Sequence, residues 1–426
     1  MTEITRRNFM QTAGAGALMS AAALSSARSY AANGRVGHAV IGTGGQGRNH
    51  ARGFAGLEDC DLVMICDVDP KRREQALAEL PHPDKTKAVD HYEEVLNNPD
   101  VHSVSVTTPD HWHTPLALLA LKAGKHVYVE KPCCHNIHEG MVLDRSAKAA
   151  GKCVQHGTQS RSGPGIIDAF NWLKEGHLGK IRVAKAINHQ FREPIGRKPV
   201  SDPPPGVNYD LWLGPAPQHP FTMNRWHYNW HWIWDYGCGD IGNDGIHQVD
   251  VARWGLGVGY PNRVDGPGTQ LFYDDDHETP DSQMVTYQYD DCWLIYEMRL
   301  WTPYPLEGHD NGVVFYGDKG RLEVGRKGSI AYFLEGEPKV IGGSHDFTAN
   351  IKNFIACVQA NDPSKLNAPI SEGVISANLC HLGNIATRVG RPLRFDAGQM
   401  VCVEDDEATA LLKRTYREGF QLAEVG

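Results

Sequence analysis

The stretch Gly42-Thr43-Gly44-Gly45-Gln46-Gly47 constrains the fold of this chain more than any other. It follows a short β-rich run (35–41) and leads into residues at helical spacing (48–56), the order strand, glycine turn, helix. A second apolar run, 62–66, reads as a buried strand and delivers Asp67 twenty residues after Gly47. In that context Gly42 permits a tight turn, Gly44 lets backbone approach a pyrophosphate and Gly47 lets helix and strand pack closely, while the helix N-terminus offers its N–H groups to phosphate. Gly45 and Gln46 share this phosphate loop. Asp67 is placed to accept from both ribose hydroxyls and to repel a 2′-phosphate, which favours NAD; Lys71, Arg72 and Arg73 follow closely enough to leave NADP open.

Further α/β units follow. Residues 104–108 read as a strand, 115–122 as a helix stopped by Gly124, 126–129 as a strand ending at Glu130-Lys131-Pro132, and 153–157 as the last strand of the nucleotide fold. Ligands of open parallel sheets lie beyond the carboxyl ends of the strands, so Thr108, Pro109 and Lys131 are predicted to face the nicotinamide half. A lysine there can share a proton with a substrate hydroxyl.

The chain has 426 residues, enough for two or three domains. Its net charge is −9, with no basic stripe, which argues against nucleic acid as a partner. No apolar run approaches the ~18 residues of a membrane span. Ten cysteines are scattered without CxxC spacing and include the adjacent Cys133-Cys134, so they read as small buried residues and not as a disulfide framework. The N-terminus reads as an export address: Thr5-Arg6-Arg7-Asn8-Phe9-Met10, a small apolar run, then Ser29-Tyr30-Ala31 as a cleavage site. Residues 1–31 are therefore assigned to a twin-arginine signal peptide and the mature protein to the periplasm or another exported location. That route carries folded proteins, which points to a cofactor trapped before export.

Three motifs, Gly42 to Gly47, Thr108-Pro109-Asp110-His111-Trp112-His113 and Glu130-Lys131-Pro132, resemble those of the glucose-fructose oxidoreductase, inositol dehydrogenase and rhizopine-catabolism (Gfo/Idh/MocA) family. The resemblance covers essentially the whole mature chain. It implies an α/β Rossmann domain with a doubly wound parallel sheet (32–158), followed by an α+β domain with an open, mostly antiparallel sheet (159–426) that carries substrate and oligomer contacts. It also implies that a late helix, about 372–390, packs back on the first domain, and that Lys131 is the proton-transfer residue. The family's Asp-x-x-x-His motif falls on Asn243 to His247, with Asn where the family has Asp. Asn offers only neutral hydrogen bonds. His247 is accordingly carried over as catalytic, Asn243 as substrate-binding only, and Asp244 or Asp240 as a compensating acid. Cofactor contacts are expected from Gly42, Gly44, Gly45, Gln46, Gly47, Asp67, Thr108, His113, Glu130 and Lys131, and substrate contacts from Asn243, Asp244 and Trp112.

The runs 181–190, 284–289, 293–300, 312–316 and 321–325 read as strands of the second sheet, 198–208 as a proline-rich loop, and 226–234 as an aromatic stretch suited to the C–H faces of a sugar. Asp274-Asp275-Asp276 reads as a solvated loop, His381 as a core residue, and His111-x-His113 lacks the further ligands zinc needs, so no metal is expected. Two functional classes follow: an exported NAD(P)-dependent oxidoreductase of a sugar, polyol or glycoside hydroxyl, with tightly bound cofactor recycled in the same site, or a redox-neutral NAD-dependent glycosidase or lyase working through transient oxidation of the ring. A non-catalytic sugar-binding protein is a third, weaker reading. The expected partners are a carbohydrate and further copies of the chain, as dimer or tetramer.

Overall fold

The computed structural model describes residues 34–325, 328–342 and 348–426. The export segment assigned to 1–31 lies outside these residues.

The first sheet is built from short runs, of which β1 is buried throughout and β2 carries the apolar stretch Leu62 to Cys66, as strands covered on both faces require. They are β1 (Val36–Ile41), β2 (Cys60–Cys66), β3 (Lys87–Val89), β4 (Ser103–Val106), β5 (His126–Val129) and β6 (Val154–His156). All pair in parallel, in the order β3-β2-β1-β4-β5-β6. The order reverses between β1 and β4, which opens a crevice at their carboxyl ends. Helix α1 (Gly45–Ala55) starts three residues earlier than helical spacing suggests, inside the glycine turn. Packing overrides glycine's poor helix propensity there: a Cβ on Gly47 would stand 1.8 Å from the Gly42 carbonyl oxygen. Helix α2 (Pro70–Ala78) starts at a Pro after Asp69, whose carboxylate accepts from Lys71 N. Helices α3 (His113–Lys122) and α4 (Ile137–Ala150) follow, α4 ending on Gly151 at φ 60°.

The second sheet has nine strands: β7 (Ile181–Asn188), β8 (Arg263–Asp265), β9 (Gly268–Thr269), β10 (Ser282–Gln288), β11 (Trp293–Arg299), β12 (Asn311–Gly317), β13 (Gly320–Gly325), β14 (Gly328–Phe333) and β15 (Lys339–Gly342). Its order is β15-β14-β13-β12-β7-β11-β10-β8, with β9 beside β10; β7 and β11 run parallel and the other pairings are antiparallel. β8, β9, β14 and β15 were not anticipated, because two to six residues with weak alternation give no period to read. Alternation is plain in β10, where Gln283, Val285 and Tyr287 are buried and Met284 is half-exposed. Helix α5 (Pro164–Lys174) packs on β14 and β15, and helix α6 (Ile246–Leu256) on β7 and β12. The acidic run at 274–276 is more than a solvated loop. Asp275 accepts from Ile195 N (2.8 Å) and Gly196 N (3.2 Å), and Asp276 from Lys198 N and Asn224 Nδ2 (both 2.9 Å), while Asp274 alone is exposed.

Helix α7 (Thr348–Ala360) and helix α8 (Ile370–Val389) complete the second half, and α8 packs on α4 and reaches β6. His381 on α8 is buried with its Nε2 3.0 Å from the Cys134 carbonyl oxygen. α6 and α8 are tied together by buried charge: Arg161 bonds Asp250 at 2.8–3.1 Å, Ser376 donates to Asp250 at 2.6 Å, and Arg253 bonds Glu372. Burial alone would raise the Asp250 carboxyl, but Arg161 holds it below the usual carboxylate range. Asp250→Ala strands a buried guanidinium and should cost about 3–5 kcal/mol. Urea unfolding checks this, and an unchanged midpoint would contradict it.

Candidate active site

A cleft of about 520 Å³ opens at the carboxyl ends of β1, β2, β4 and β5, and residues 226–231 of the second half form its opposite wall. The glycine turn shapes one end. Gly42 has φ +92° and a Cβ there would meet the Thr107 carbonyl oxygen at 2.7 Å, whereas a Cβ on Gly44 or Gly45 would meet no protein atom within 4 Å. Gly44 and Gly45 therefore border open space at the N-terminus of α1, a cradle that a pyrophosphate fits. Asp67 lies beside it. Its Oδ2 accepts from Thr43 N (2.6 Å) and Thr43 Oγ1 (3.1 Å) and its Oδ1 from Asp69 N (2.9 Å), so about one of its four lone-pair positions remains for a ribose hydroxyl, not two. Burial pushes this carboxyl up. Asp90 and Arg72 share the same wall.

At the other end stand Thr108, Glu130 and Lys131. Thr108 Oγ1 is buried without a protein partner, an orphaned hydroxyl that suits a cofactor amide. Glu130 Oε1 meets His50 Nε2 at 3.0 Å and accepts from Gln46 Nε2 at 3.2 Å, and Oε2 accepts from Lys131 N at 3.1 Å. Burial would raise this carboxyl, yet His50 and Lys131 bring it down to about 2. The Lys131–Pro132 peptide is cis. Lys131 Nζ donates to Asn243 O (2.8 Å) and Asn243 Oδ1 (3.1 Å), so Asn243 faces the lysine directly and is more than a substrate contact.

Other expected residues are placed differently. The His113 ring nitrogens sit 2.6 and 2.7 Å from the carbonyl oxygens of Pro132 and Thr108, bracing two loops with no polar edge left for cofactor. Trp112 lines the cleft but donates its indole N–H to Trp212 O (3.0 Å) and packs on Tyr92 and Phe420, so it is wall and joint. Asp244 is off the cleft wall and ion-paired with Arg192, which outweighs burial and holds it low. His247 also lies behind the wall, half-buried; burial and the charge of Lys131 push it down to about 4. Asn243 and His247 do not share one regular α-helix. Ile241–Gly245 form a π turn and α6 starts at Ile246, because Gly242 and Gly245 are forced by packing: a Cβ would meet Cys238 Cβ at 2.5 Å and Tyr296 Oη at 2.4 Å.

One cleft residue, Asp110, escaped sequence reasoning, whereas the aromatic wall falls inside the stretch 226–234 expected to meet a sugar. Asp110 is buried, accepts from Cys238 N at 3.2 Å, and is pushed up by burial to about 7. It sits inside a motif that was quoted, but nothing in sequence announces that its carboxyl is enclosed. Tyr228, Trp230 and His231 form the aromatic wall, with Trp230 and His231 stacked at 3.6 Å. Burial lowers His231 to about 3. Thr43 and Arg192 carried no signal.

A glycine turn at the switch point of a doubly wound sheet, facing a lysine across a cleft closed by a second α+β unit, defines a two-domain Rossmann-fold oxidoreductase. Within that class the chain belongs to the Gfo/Idh/MocA oxidoreductase family: residues 36–158 match its NAD-binding Rossmann fold and residues 180–422 its C-terminal alpha/beta domain. A protein named Glycosyl hydrolase family 109 protein from Shewanella pealeana is 28% identical over 216 residues, 45% of this chain and 47% of that one. Its namesake from Solibacter usitatus is 32% identical over 174 residues, 38% and 40% of the two chains. The matched region thus spans about half, or less, of these curated relatives. Among solved structures, the WlbA dehydrogenase from Bordetella pertussis in complex with NADH and UDP-GlcNAcA superposes with TM-score 0.66 at 20% identity, covering 85% of this chain and 98% of that one. The aldose-aldose oxidoreductase from Caulobacter crescentus complexed with glycerol gives 0.65 at 21% identity, covering 85% and 100%. At these identities the likeness is one of fold.

Proposed function

We propose that this protein is an exported NAD(H)-dependent enzyme that oxidises a hydroxyl of a sugar, polyol or glycoside, with a tightly held cofactor regenerated in the same cleft. The carrying observation is Lys131 at the end of β5, anchored on Asn243 and set beside the Glu130 anion. Bound NAD supplies a hydride acceptor at its nicotinamide ring. Lys131 takes the hydroxyl proton; His247, neutral near pH 7 because its pKa is about 4, stands off the cleft lining and has no part in that step. The aromatic wall of Tyr228, Trp230 and His231 suits the C–H face of a pyranose. Asp67 and Asp90 line the ribose end with Arg72, and the Arg73 guanidinium is engaged by the Asp67 carbonyl, which supports NAD over NADP. The roof of 226–231 supports slow cofactor loss.

A second reading has its own support: a redox-neutral glycosidase, in which ring oxidation acidifies the neighbouring C–H, the aglycone is eliminated, water adds in its place and the ring is reduced again. The relatives' names point that way, and Asp110, pushed up to about 7, is protonated in about half the molecules at neutral pH and can then give a proton to a leaving oxygen. Denaturing the purified protein should release about one NAD(H) per chain; a protein that purifies without cofactor and binds added NAD weakly would refute tight retention. Screening the holoenzyme against glycosides then separates the readings, since reduced-nicotinamide absorbance that accumulates marks an oxidoreductase and aglycone release without net reduction marks a glycosidase. Export rests on Arg6-Arg7 and is tested by fractionation of cells carrying Arg6→Lys/Arg7→Lys, which should retain the protein in the cytoplasm. Homo-oligomerisation is supported by the exposed apolar side chains of Met284 and Trp293 on the second sheet and is tested by light scattering.

A further inference from the structure

Where the family motif has Asp, this chain has Asn243, and the structure supplies a reason. Lys131 donates two hydrogen bonds to one residue, to the backbone oxygen (2.8 Å) and the side-chain oxygen (3.1 Å) of Asn243. The lysine nitrogen has three directions besides its carbon. With two of them committed as N–H donors to Asn243, the third, which carries the transferable proton or the lone pair left by it, is directed elsewhere, towards the cleft that Lys131 lines. This works only if the Asn243 amide turns its oxygen to the lysine. Turned the other way, an NH₂ would confront the lysine N–H groups, donor against donor.

The amide orientation is decided one step further back. Asn243 Nδ2 donates to Asp240 Oδ1 at 3.3 Å. Asp240 is 1% exposed and is itself held: its Oδ2 accepts from Asn188 Nδ2 at 2.8 Å and its Oδ1 from Arg192 Nη2 at 3.3 Å. Arg192 also pairs with Asp244. Burial raises the Asp240 carboxyl and the Arg192 charge opposes that rise. An Asp at 243 would place a second carboxylate against this buried one, and like charges at that range force one of them to take up a proton. Asn avoids the conflict and still presents an oxygen to the lysine.

We infer that Asp240, braced by Arg192, is a positioning residue: it fixes the Asn243 amide so that its oxygen faces Lys131 and the lysine nitrogen is aimed at the substrate. The inference rests on the reading of Lys131 as the proton-transfer group. Other groups that interact electrostatically with Lys131 are Asp110, Glu130, Asp244, His113, His231 and His247; of these Asp244 shares Arg192 with Asp240, and none is itself changed in the variants below.

The test reads Lys131 itself and needs no substrate. Holoenzyme is labelled with trace acetic anhydride across a pH series, and acetylation of Lys131 is followed by peptide mass spectrometry to give its apparent pKa. Asp240→Asn removes a negative charge and frees the amide to turn, so the Lys131 pKa should fall by about one unit or more. The exchange Asp240→Asn/Asn243→Asp restores one carboxylate, now against the lysine, and should bring the pKa back to or above the wild-type value. If Asp240→Asn does not accumulate as folded holoenzyme, Asp240→Ser is measured instead; it also removes the carboxylate, keeps the Arg192–Asp244 pair and should give a fall of the same sign. A Lys131 pKa unchanged in whichever variant folds, or an exchange variant that stays as low as Asp240→Asn, overturns the inference. Failure of the functional reading is separate, since it appears as activity that survives loss of Lys131.

Discussion

Lys131→Ala is expected to keep its nicotinamide cofactor and lose about 10²- to 10⁴-fold in kcat, the span typical of removing a general acid-base group. The side chain serves the substrate side of the cleft, its Nζ meeting Asn243 across the domain junction, whereas the glycine turn and Asp67 lie at the other end. Cofactor content and turnover should therefore separate. Lys131→Arg should fare nearly as badly, because a guanidinium does not release its proton at working pH. Turnover of whichever glycoside the holoenzyme uses, measured beside NAD(H) released on denaturation, checks both halves. Near-normal kcat in Lys131→Ala would remove the lysine from the mechanism, and cofactor loss would make it a binding residue.

Two glycines three positions apart should fail in opposite ways. Gly44→Val should fold normally and retain no cofactor, because its side chain meets no protein atom within 4 Å and projects into the space the pyrophosphate needs. Gly47→Ala should instead damage the fold, since its Cβ would lie 1.8 Å from the Gly42 oxygen and 2.9 Å from Thr107 Oγ1. Forcing even one methyl into such a contact costs about 1–3 kcal/mol or more. Thermal melting of the two variants, with released NAD(H) as the second measurement, distinguishes them. A Gly44→Val protein with full cofactor content would show that the dinucleotide lies elsewhere.

The nucleotide half was legible because its signals are local. A parallel strand buried on both faces is an apolar run, a glycine turn has its own composition, and Asp67 and Lys131 occupy strand ends that chain order alone locates. The second sheet was legible where a strand alternates, as β10 and β11 do, or is a continuous apolar run, as β12 is, and not in the two- to four-residue strands β8, β9 and β15. Asp244 illustrates the limit. A carboxylate beside a catalytic motif invites assignment to substrate, yet Arg192, fifty-two positions earlier in the chain, claims it.

What the sequence by itself determined is the set of groups that meet in the cleft and that the proposed chemistry uses: the phosphate turn Gly42 to Gly47, the acid at Asp67, the lysine at 131 and the aromatic stretch that walls the cleft. Those follow from residue type and near-neighbour spacing. Only the tertiary structure decided how each group is charged and aimed. Glu130 is held near 2 by His50 on α1, Asp110 is raised to about 7 by enclosure, and Lys131 is turned by an amide that Asp240 and Arg192 orient. The physical reason is that desolvation and hydrogen-bond direction depend on atoms brought together from distant parts of the chain, and a pattern read along one dimension carries no record of that enclosure.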